Sequence, residues 1–407
     1  MDDVATLLSA RAVRERAHQM LALCLEDKLL HFRVDLARLD AIADLVLDVT
    51  GKAYPNGEVP FHSRWRHFVV GSVDRWAAIA GRVQWPDAAA RARAEFDLAI
   101  TSVLLDAGAG AAWRYHDAVT GARIGRSEGL ALASLDMFAS GAFSADANDP
   151  LRADAARLKQ LTVADLERGF QVGPDNPLVG LEGRVALLRR LGEVAAAKPD
   201  IFGAKDGPRP GGLFDQLAAG TTGGHLKAAA ILQQVLLQLG PIWPSRLMLQ
   251  GIALGDCWRH PSLVTDDATT GLVPLHKLSQ WLSYSLIEPL QRAGLVVDDI
   301  DGLTGLAEYR NGGLFVDGGV LVLRAPEDAE RAHAVDSPLV VEWRALTVAL
   351  LDRLATLIRQ RTGLTAEQLP LARILEGGSW AAGRKLAFAR RPDGSPPLKV
   401  ISDGTVF

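Results

Sequence analysis

The sequence predicts a mainly α-helical protein that carries a small β-hairpin or sheet. Apolar residues recur every three or four positions over residues 181–194 and 343–358, which is the spacing of one face of a helix. Glycine, proline or short polar residues bound several other stretches with the same spacing. Strand signals are short and few. Together these observations favour a helical body with a minor sheet.

The glycine, proline and polar residues between the apolar stretches give the bounds of the other predicted helices and strands. Besides the two stripes above, helices are predicted over residues 5–24, 87–107, 127–143, 152–169, 225–239, 276–293 and 366–390. Two apolar stretches flank Gln250-Gly251, which predicts a hairpin over residues 246–256. A further strand is predicted over residues 320–324.

The 407 residues are expected to form one compact unit, since single enzyme units of this size occur. Glycine and proline concentrate in residues 199–215, which makes this stretch the best candidate for a linker. The unit would then consist of a helical lobe over residues 1–198 and a helical lobe with the small sheet over residues 216–407.

Composition argues against several partners. The chain has 44 basic and 48 acidic residues, and a net charge of −4 gives no electrostatic footprint for nucleic acid. Its two cysteines, Cys24 and Cys257, are too few for a disulfide framework or a four-cysteine zinc site, which fits a reducing compartment. The amino terminus lacks the pattern of a signal peptide, and no apolar run is long enough to span a membrane. We therefore expect a cytoplasmic protein that binds neither membranes nor nucleic acid.

Common enzyme motifs are missing from the sequence. It contains no phosphate-binding GxxxxGK[ST], no GxGxxG after a strand, no GxSxG and no HExxH. Cys257 and His260 form a CxxH pair, and His276 follows, but zinc usually needs three or four closely arranged ligands. A buried thiol near a hydrogen-bonded histidine is the more ordinary interpretation. No metal and no cofactor are expected.

Two polar and aromatic clusters lie on segments that helical spacing does not explain. In FHSRWRHF, which includes His62, an extended backbone would place Arg64 and Arg66 on one face and Trp65 on the other. Two guanidinium groups on one face can bind a phosphate or carboxylate, although a surface arginine pair beside a core tryptophan is an equal alternative. The second cluster, GDCWRHP, follows the predicted hairpin and contains Asp256, Trp258, Arg259 and His260. It indicates either a loop site or a structural ion pair.

Two further clusters belong to the second half of the chain. In VPLHKLSQWLSYSLIEP, polar and aromatic residues at positions 277, 281, 284 and 288 fall on one helical face. Lys277 near the helix start would favour a phosphate, while a solvated face with a lysine–glutamate pair is the alternative. DDIDGLTGLAEYRNGGLFVDGGV combines acids, an arginine and glycines, a composition that favours a ligand site. Its candidate residues are Asp301, Glu308, Tyr309, Arg310 and Asp317.

Carboxylates, arginines and tryptophans without a metal or dinucleotide motif suit a reaction that develops positive charge on a sugar. In glycosidic cleavage one carboxylate stabilises an oxocarbenium-like centre, and a second group protonates the departing atom. The same residue types also make a carboxylate or amide binding site, so composition leaves both interpretations open. Two further segments resemble the four clusters in residue type. They are VVEWRA, with Glu342 and Arg344, and LEGGSWAAGR, with Glu376, Trp380 and Arg384.

The motifs FHSRWRHF, GPIWPSRL, LGDCWRHP, VPLHKLSQWLSYSLIEPLQ and DGLTGLAEYRNGGLFVD resemble a known family over nearly the entire chain. It is the uracil-catabolism family of unknown-function domains, of the fungal Urc-four or Urg-three type, with many bacterial members. The resemblance implies a role in the pathway that opens the uracil ring at the nucleotide level and passes through ribosylurea toward urea. The step associated with this family involves ribosylurea.

A fainter resemblance connects LERGFQVGPDNPLVGLEGRVALLRRLGE, HKLSQ, LAEYRNGG and VVEWRA to the queuosine-salvage nucleotide N-glycosylases. It implies a helical body similar to helix-hairpin-helix DNA glycosylases and cleavage of a base from ribose 5-phosphate. Lys277 and Glu342 match that family's lysine and acid. That family has an aspartate at each of two positions where this chain differs. This chain has Glu308 at one position and Ala381 at the other.

The two resemblances together imply a metal-independent N-ribosyl hydrolase that cleaves ribosylurea or its 5-phosphate. Glu308 would stabilise the sugar cation or orient water, with Asp301, Asp317 and Glu342 as competing candidates. The proton donor would be His276, His260 or Asp256. The residues expected to bind substrate are His62, Arg64, Trp65, Arg66, Asp256, Trp258, Arg259, His260, Lys277, Gln280, Tyr309 and Arg310.

Two rival functions remain open from the sequence. A non-catalytic partner that binds a pathway nucleotide or shields a labile intermediate would need the arginines but not the carboxylate. Base excision from nucleic acid is a third alternative, which the negative net charge weakens. The oligomeric state is not indicated.

Overall fold

The computed structural model describes residues 2–106, 108–110, 112–203, 207–243 and 247–401. Most of this part of the chain is helical, which confirms the predicted mainly α class. The α-helices are α1 Asp2–Leu7, α2 Ala10–Leu25, α3 Leu39–Ala53, α4 Arg75–Ala80, α5 Ala88–Leu104, α6 Arg126–Ala139, α7 Ala155–Lys159, α8 Val163–Gly169, α9 Leu181–Ala197, α10 Pro199–Phe202, α11 Gly212–Ala219, α12 Ala228–Leu239, α13 Lys277–Arg292, α14 Tyr309–Asp317, α15 Pro338–Thr362, α16 Leu371–Ile374 and α17 Trp380–Arg390.

The strands are short and pair two by two. They are β1 Phe32–Val34, β2 Val69–Val70, β3 Val73–Asp74, β4 Tyr115–His116, β5 Arg123–Ile124, β6 His225–Lys227, β7 Met248–Leu249, β8 Ile252–Ala253, β9 Cys257–Arg259, β10 Leu272–Pro274, β11 Val296–Asp298, β12 Leu321–Leu323, β13 Ala332–Ala334 and β14 Lys399–Ile401. The pairs β6–β11 and β13–β14 are parallel, and β1–β12, β2–β3, β4–β5, β7–β8 and β9–β10 are antiparallel.

Both strand predictions are confirmed within the described residues. The hairpin β7–β8 turns at Gln250 and Gly251, whose φ angles of 51° and 79° match a two-residue turn with both central residues in the left-handed region. Residue 246, where the predicted hairpin begins, lies outside the described part. The strand predicted over residues 320–324 is β12, which pairs with β1 from the other end of the chain.

Capping residues divide two of the predicted helices. The helix predicted over residues 5–24 is interrupted between α1 and α2, because Ser9 caps a new helix. Residues 152–169 form α7 and α8, because Thr162 and Asp165 make a reciprocal capping box.

Other predicted helix bounds also differ from the structure. Residues 366–390 become helical only after Pro370, and a π-helical turn at Leu375–Ser379 joins α16 to α17. The helices α3, α4 and α14 were not predicted. Residues 225–227 are the strand β6 rather than the start of a helix.

The stretch expected to be a linker is partly structured. It contains α10 and the beginning of α11, and Phe202 is fully buried. Arg209 pairs with the buried Asp97 of α5 at 2.5 Å, which fastens the stretch to the helical body. Residues 204–206 lie outside the described part. The division into two lobes stays a prediction.

The long helix α15 lies at the centre of the core. Its residues from Leu339 to Leu351 are all buried, and it packs against α2, α3 and α14. None of the described helices is both long and apolar enough to cross a lipid bilayer. Among the described residues, no group of three or more histidine, cysteine, aspartate or glutamate side chains is arranged to hold a metal ion.

A buried ion pair connects α15 to the start of α13. Both oxygens of Asp256 accept hydrogen bonds from Arg344 at 2.8 Å, and Oδ2 also accepts the backbone N–H of Lys277 at 2.9 Å. Burial alone would raise the pKa of Asp256, but Arg344, the Lys277 N–H and Trp258 lower it to about 2. The pair therefore fixes the first turn of α13 against the core.

Close helix packing fixes α14 against α17. A methyl group at Gly383 of α17 would overlap the carbonyl oxygen of Arg310 in α14. Only glycine permits this approach of the two backbones. The contact sets the position of the first turn of α14, which lines the cavity described below.

We expect Asp256→Asn to lower the free energy of unfolding by about 3–5 kcal/mol at pH 7, because Arg344 would stay buried without its counter-charge. Since the folded-state pKa lies below the ordinary value, the contribution is present above pH 4 and is lost as the pH falls toward 2. Urea unfolding of wild type and variant at pH 7 and pH 3 measures the difference, which should shrink at the lower pH. The exposed Asp40, paired with Arg361, supplies the control Asp40→Asn, which should change stability by less than about 0.5 kcal/mol. An equal effect of both variants would contradict a special role for Asp256.

We expect Gly383→Ala to destabilise the protein by about 1–3 kcal/mol, because α14 and α17 would have to separate. The matched control is Gly183→Ala in α9, where a methyl group meets no atom within 4 Å. That control should be neutral or slightly stabilising, since alanine favours helix more than glycine does. Thermal unfolding of the two variants distinguishes a packing clash from a general effect of losing a glycine.

Candidate functional site

A cavity of about 320 Å³ opens where the first turns of three helices approach one another. Arg126 and Ser127 begin α6, Lys277 begins α13, and Tyr309 and Arg310 begin α14. Trp380 also lines the cavity, just after the π-helical turn that joins α16 to α17. The backbone N–H groups at the three helix starts give them a partial positive charge, so the arrangement favours an anionic ligand. The remaining lining residues are His62, His67, Asp106, Gly108, Ala109, Gly110, Leu130, Trp281, Leu306, Glu308, Gly394, Ser395 and Pro396.

Glu308 is the N-cap of α14. Its Oε2 accepts the backbone N–H of Arg310 and its Oε1 accepts that of Asn311, both at 2.6 Å. Burial raises the pKa of Glu308, while these two N–H groups and the nearby Lys277 act in the opposite direction. The carboxylate of Glu308 thus caps α14, and the residue also lines the cavity.

Lys277 is the first residue of α13, and no carboxylate of the described residues forms an ion pair with its ammonium group. The Nζ atom lies 5.9 Å from the ring centre of Trp281, within cation–π range. Burial lowers the pKa of Lys277, and the carboxylates of Glu308 and Asp106 oppose that change. The alternative interpretation of this segment, a solvated face with a lysine–glutamate pair, does not hold, because Glu288 pairs with Arg66 at 2.7 Å.

A second carboxylate, Asp106, enters the cavity from the end of α5. It accepts hydrogen bonds from Arg64 Nη1 at 2.7 Å and from Ser127 Oγ at 2.6 Å. Arg64 also lies 3.3 Å from His67 Nδ1, and because an arginine only donates, this ring nitrogen is the acceptor. Burial and the charge of Arg64 hold the pKa of His67 well below its usual range, so His67 is neutral.

The second histidine of the cavity, His62, has a different partner. Its Nδ1 lies 2.7 Å from Oε2 of Glu376, whose other oxygen accepts the hydroxyl of Tyr54 at 3.1 Å. The His62 ring is 6.4 Å from the ring of Trp281, which also contacts His67. Both histidines therefore lie beside Trp281. His62 contacts a negatively charged carboxylate, whereas His67 contacts the positively charged guanidinium group of Arg64.

Two residues that line the cavity each carry one fully buried N–H group that has no acceptor among the described residues. The two groups are Nε1 of Trp281 and Nε of Arg310. Buried N–H groups in folded proteins almost always have a partner. The guanidinium of Arg310 donates from Nη1 to the carbonyl of Gly394 at 2.8 Å, which holds the segment 394–396 over the cavity.

Two predicted carboxylates lie outside the cavity and have structural partners. Asp301 pairs with Arg359 at 2.5 Å and accepts the backbone N–H of Leu371 at 2.7 Å. Asp317, at the end of α14, pairs with Arg391 at 2.5 Å. Since a bound arginine already occupies each carboxylate, neither residue is available to a ligand in this structure.

The predicted acid Glu342 is also structural. It is fully buried in α15, where it accepts the backbone N–H groups of Leu30 and His31 and lies 3.1 Å from Nε2 of His260. The other two candidate proton donors lie apart from the cavity as well. His276 contacts the carbonyl of Leu7 at 3.0 Å, and Asp256 belongs to the ion pair with Arg344.

The extended backbone predicted for FHSRWRHF is wrong, because residues Arg64–Phe68 form a 3₁₀ helix. Arg64 is consequently turned inward, where it contacts Asp106 rather than a ligand. Arg66 points to Glu288 of α13. Trp65 is a core residue whose Nε1 donates to the carbonyl of Ser285 at 2.7 Å. The two guanidinium groups therefore do not share a face.

Three further residues predicted to bind substrate also lie away from the cavity. Trp258 is buried and donates to Asp256 at 2.6 Å, and Arg259 is exposed on β9. Gln280 is buried in α13 and donates to Thr304 Oγ1 at 2.9 Å. Of the residues predicted for the site, the structure brings together five at the cavity: His62, Lys277, Glu308, Tyr309 and Arg310.

Sequence reasoning missed several lining residues. Asp106, Arg126 and Ser127 belong to no recognisable motif, and they reach the cavity only because α5 ends and α6 begins there. His67 and Trp380 occur in the quoted motifs but were not chosen. The one signal that could have indicated Arg126 and Ser127 is the glycine that precedes them at the start of a helix.

Known proteins match the chain over most or all of its length. Residues 6–407 match the family described as "Protein of unknown function (DUF1688)". The chain is 39% identical over 419 residues to "Protein urg3" of Schizosaccharomyces pombe, which covers 100% of this chain and 99% of that protein. It is 38% identical over 412 residues to "Uracil catabolism protein 4" of Lachancea kluyveri, which covers 93% of this chain and 92% of that protein. These matches confirm the resemblance inferred from the motifs, and the chain belongs to the DUF1688 family.

Proposed function

We propose that the protein is a cytoplasmic N-ribosyl hydrolase of uracil catabolism that cleaves ribosylurea 5-phosphate to urea and ribose 5-phosphate. The observation that carries this proposal is the presence of Lys277, Glu308 and Asp106 in the wall of one cavity. Glycosidic cleavage needs a carboxylate near the sugar carbon that becomes cationic, and a phosphate monoester needs cations. A cavity that supplies both suits a ribosyl phosphate. Its volume of about 320 Å³ lies at the small end of ligand sites, as a small substrate requires.

The phosphate would bind at the cationic part of the cavity. Lys277 and Arg126 line it, and no carboxylate of the described residues forms an ion pair with either of them. Both residues lie at helix starts, so backbone N–H groups add to their charge. Arg310 contributes a third cation, although its Nη1 already donates to Gly394.

In the proposed reaction the bond between C1′ and the urea nitrogen breaks as positive charge develops on the ribose. Glu308 would stabilise this charge, and its two backbone hydrogen bonds keep its carboxylate in a fixed orientation. Asp106, held by Arg64 and Ser127, is the second carboxylate of the cavity and replaces Asp301, Asp317 and Glu342 as the competing candidate. Either carboxylate can orient the attacking water.

The relatives support the biological context. One of them is named for uracil catabolism, and it is similar to this chain over nearly all of both lengths. The mainly helical fold fits the fainter resemblance to the queuosine-salvage N-glycosylases. We therefore also propose that the helical body is similar to that of helix-hairpin-helix DNA glycosylases.

One observation favours a second candidate function, a non-catalytic protein that binds a pathway nucleotide. Both oxygens of Glu308 accept backbone N–H groups, so helix capping alone would explain this residue. Such a protein would use the cations of the cavity but would not need the carboxylates for turnover. The two functions differ in whether urea is released.

We expect purified protein to release urea from ribosylurea 5-phosphate and Glu308→Gln to slow the release by about 100–1,000-fold, because the transition state loses its counter-charge. Glutamine also weakens the helix cap, so a capping control is needed. Asp74→Asn changes the N-cap of α4, which lies outside the cavity, and should leave the rate unchanged. Binding of substrate without urea release by wild type would favour the non-catalytic function.

We expect Lys277→Met to weaken binding of ribose 5-phosphate by about 10–100-fold, because a half-buried cation next to the phosphate is lost. Binding of ribose without the phosphate should change much less. Calorimetry with both sugars measures the difference, and Lys52→Met, which removes an exposed lysine paired with Asp48, is the control. Equal weakening for both sugars would contradict a phosphate site at Lys277.

A further inference from the structure

We infer that His62 is the proton donor of this site and that Glu376 is the residue that positions it. The inference rests on the proposed function, since a donor is needed only if urea departs from the ribose. Urea is a poor leaving group as an anion, so its nitrogen must be protonated as the bond to C1′ breaks. The three proton donors expected from the sequence, His276, His260 and Asp256, do not line the cavity.

The contact between His62 and Glu376 fixes the ring. A carboxylate only accepts hydrogen bonds, so the 2.7 Å contact assigns the proton on Nδ1 to His62. The other ring nitrogen, Nε2, is then left for the cavity that His62 lines. The backbone N–H of His62 donates to the carbonyl of Ala372 at 2.9 Å, which anchors the residue from the other side. A ring held in this way resembles the arrangement by which an acid group orients a catalytic imidazole.

Glu376 acts through His62, because it does not line the cavity itself. It belongs to the π-helical turn Leu375–Ser379, and such turns inside helices often occur at functional sites. The turn lies directly against α3: a methyl group at Gly378 would come within 2.5 Å of Thr50 Oγ1. This close seating brings Glu376 to the hydroxyl of Tyr54 at the end of α3. Glu376 therefore receives support from two elements.

The other acidic and basic groups of the cavity are less suited to this task. His67 is neutral, because burial and Arg64 hold its pKa far below the usual range, and its Nδ1 is an acceptor. Glu308 would lose a backbone hydrogen bond of its helix cap if it carried a proton on that oxygen. His62, by contrast, contacts the carboxylate of Glu376 through Nδ1, which orients the ring and leaves Nε2 for the cavity.

The charged and titratable groups that face His62 come from four elements. Glu376 follows α16 and Tyr54 follows α3, while Glu308 precedes α14. His67 belongs to the 3₁₀ helix at residues Arg64–Phe68. Two carboxylates and a neutral imidazole thus surround the ring, and Trp281 of α13 packs beside it. Arg66, near Tyr54, is paired with Glu288.

The proton transfers of the step balance. The imidazolium of His62 gives its Nε2 proton to the departing urea nitrogen, while the electron pair of the C1′–N bond goes to that nitrogen. Water adds to C1′ and gives one proton to a cavity carboxylate, from which it returns to His62 through solvent. The net reaction consumes one water and yields urea and ribose 5-phosphate. Glu376 keeps the Nδ1 hydrogen bond throughout and takes no proton.

The test compares two leaving groups on the folded, full-length protein. We expect His62→Gln to slow urea release from ribosylurea 5-phosphate by about 100–1,000-fold. The rate of nitrophenol release from 4-nitrophenyl ribofuranoside 5-phosphate should fall less than about tenfold, because this leaving group needs no proton. The matched control is His225→Gln, since His225 makes a similar 2.7 Å contact with Asp298 on the surface.

Glu376 is tested by the same two substrates. Glu376→Gln should slow urea release by about 10–100-fold and nitrophenol release much less, because the ring of His62 loses the acceptor that orients it. Glu376→Asp should recover part of the rate of urea release, and Asp298→Asn should have no effect. A merely structural role would lower the rates for both substrates equally.

The outcomes separate the two proposals. If wild type releases urea and His62→Gln keeps its rate, or loses activity on both substrates equally, His62 is not the donor and the hydrolase assignment stands. If wild type releases neither urea nor nitrophenol, the proposed function and this inference both fail. NMR of ¹⁵N-histidine-labelled wild type gives a check without turnover: a neutral His62 ring protonated on Nε2 rather than Nδ1 would also overturn the inference.

Discussion

The ion pair between Asp256 and Arg344 is the interaction on which the rest of the site depends. It connects the central helix α15 to the loop before α13, and the same carboxylate accepts the N–H of Lys277. Lys277 is therefore held at its backbone by a residue 21 positions earlier in the chain, while its ammonium group remains in the cavity. A buried pair of this kind contributes little net stability by itself but becomes costly when one partner is lost. Its value lies in fixing where α13 begins.

The same principle explains the distribution of charge around the cavity. Most of the buried arginines and acids named above are paired with one another, as the energy of burying a charge requires. Arg64 is matched by Asp106, and the acid Glu342 by backbone N–H groups. Lys277 differs, because its charge is compensated only at a distance by cavity carboxylates. Where a protein leaves a half-buried charge without a direct partner, a ligand of opposite charge is the natural complement.

Residue type and motif identified some of the residues that line the cavity but also selected acids that have structural partners. Glu308 and Lys277 were chosen for their motifs, and both line the cavity. Glu342 was chosen by the same reasoning but is a structural acid, because the chain at Leu30 and His31 happens to need an acceptor there. Asp106 could not be found, since its partner Arg64 lies 42 residues earlier and no local pattern joins the two. Glu376, which positions His62, likewise lies 314 residues later in the chain.

The sequence by itself determined the mainly helical class, the hairpin at Gln250-Gly251, the strand at residues 320–324 and the family, because periodicity, turn chemistry and long motifs are local properties. Tertiary structure alone decided which helix starts meet at the cavity, that FHSRWRHF folds as a 3₁₀ helix and turns Arg64 inward, and which carboxylates are already paired. The physical reason is that a polar side chain takes the best partner within hydrogen-bond distance. For most residues of this site, that partner comes from a distant part of the chain.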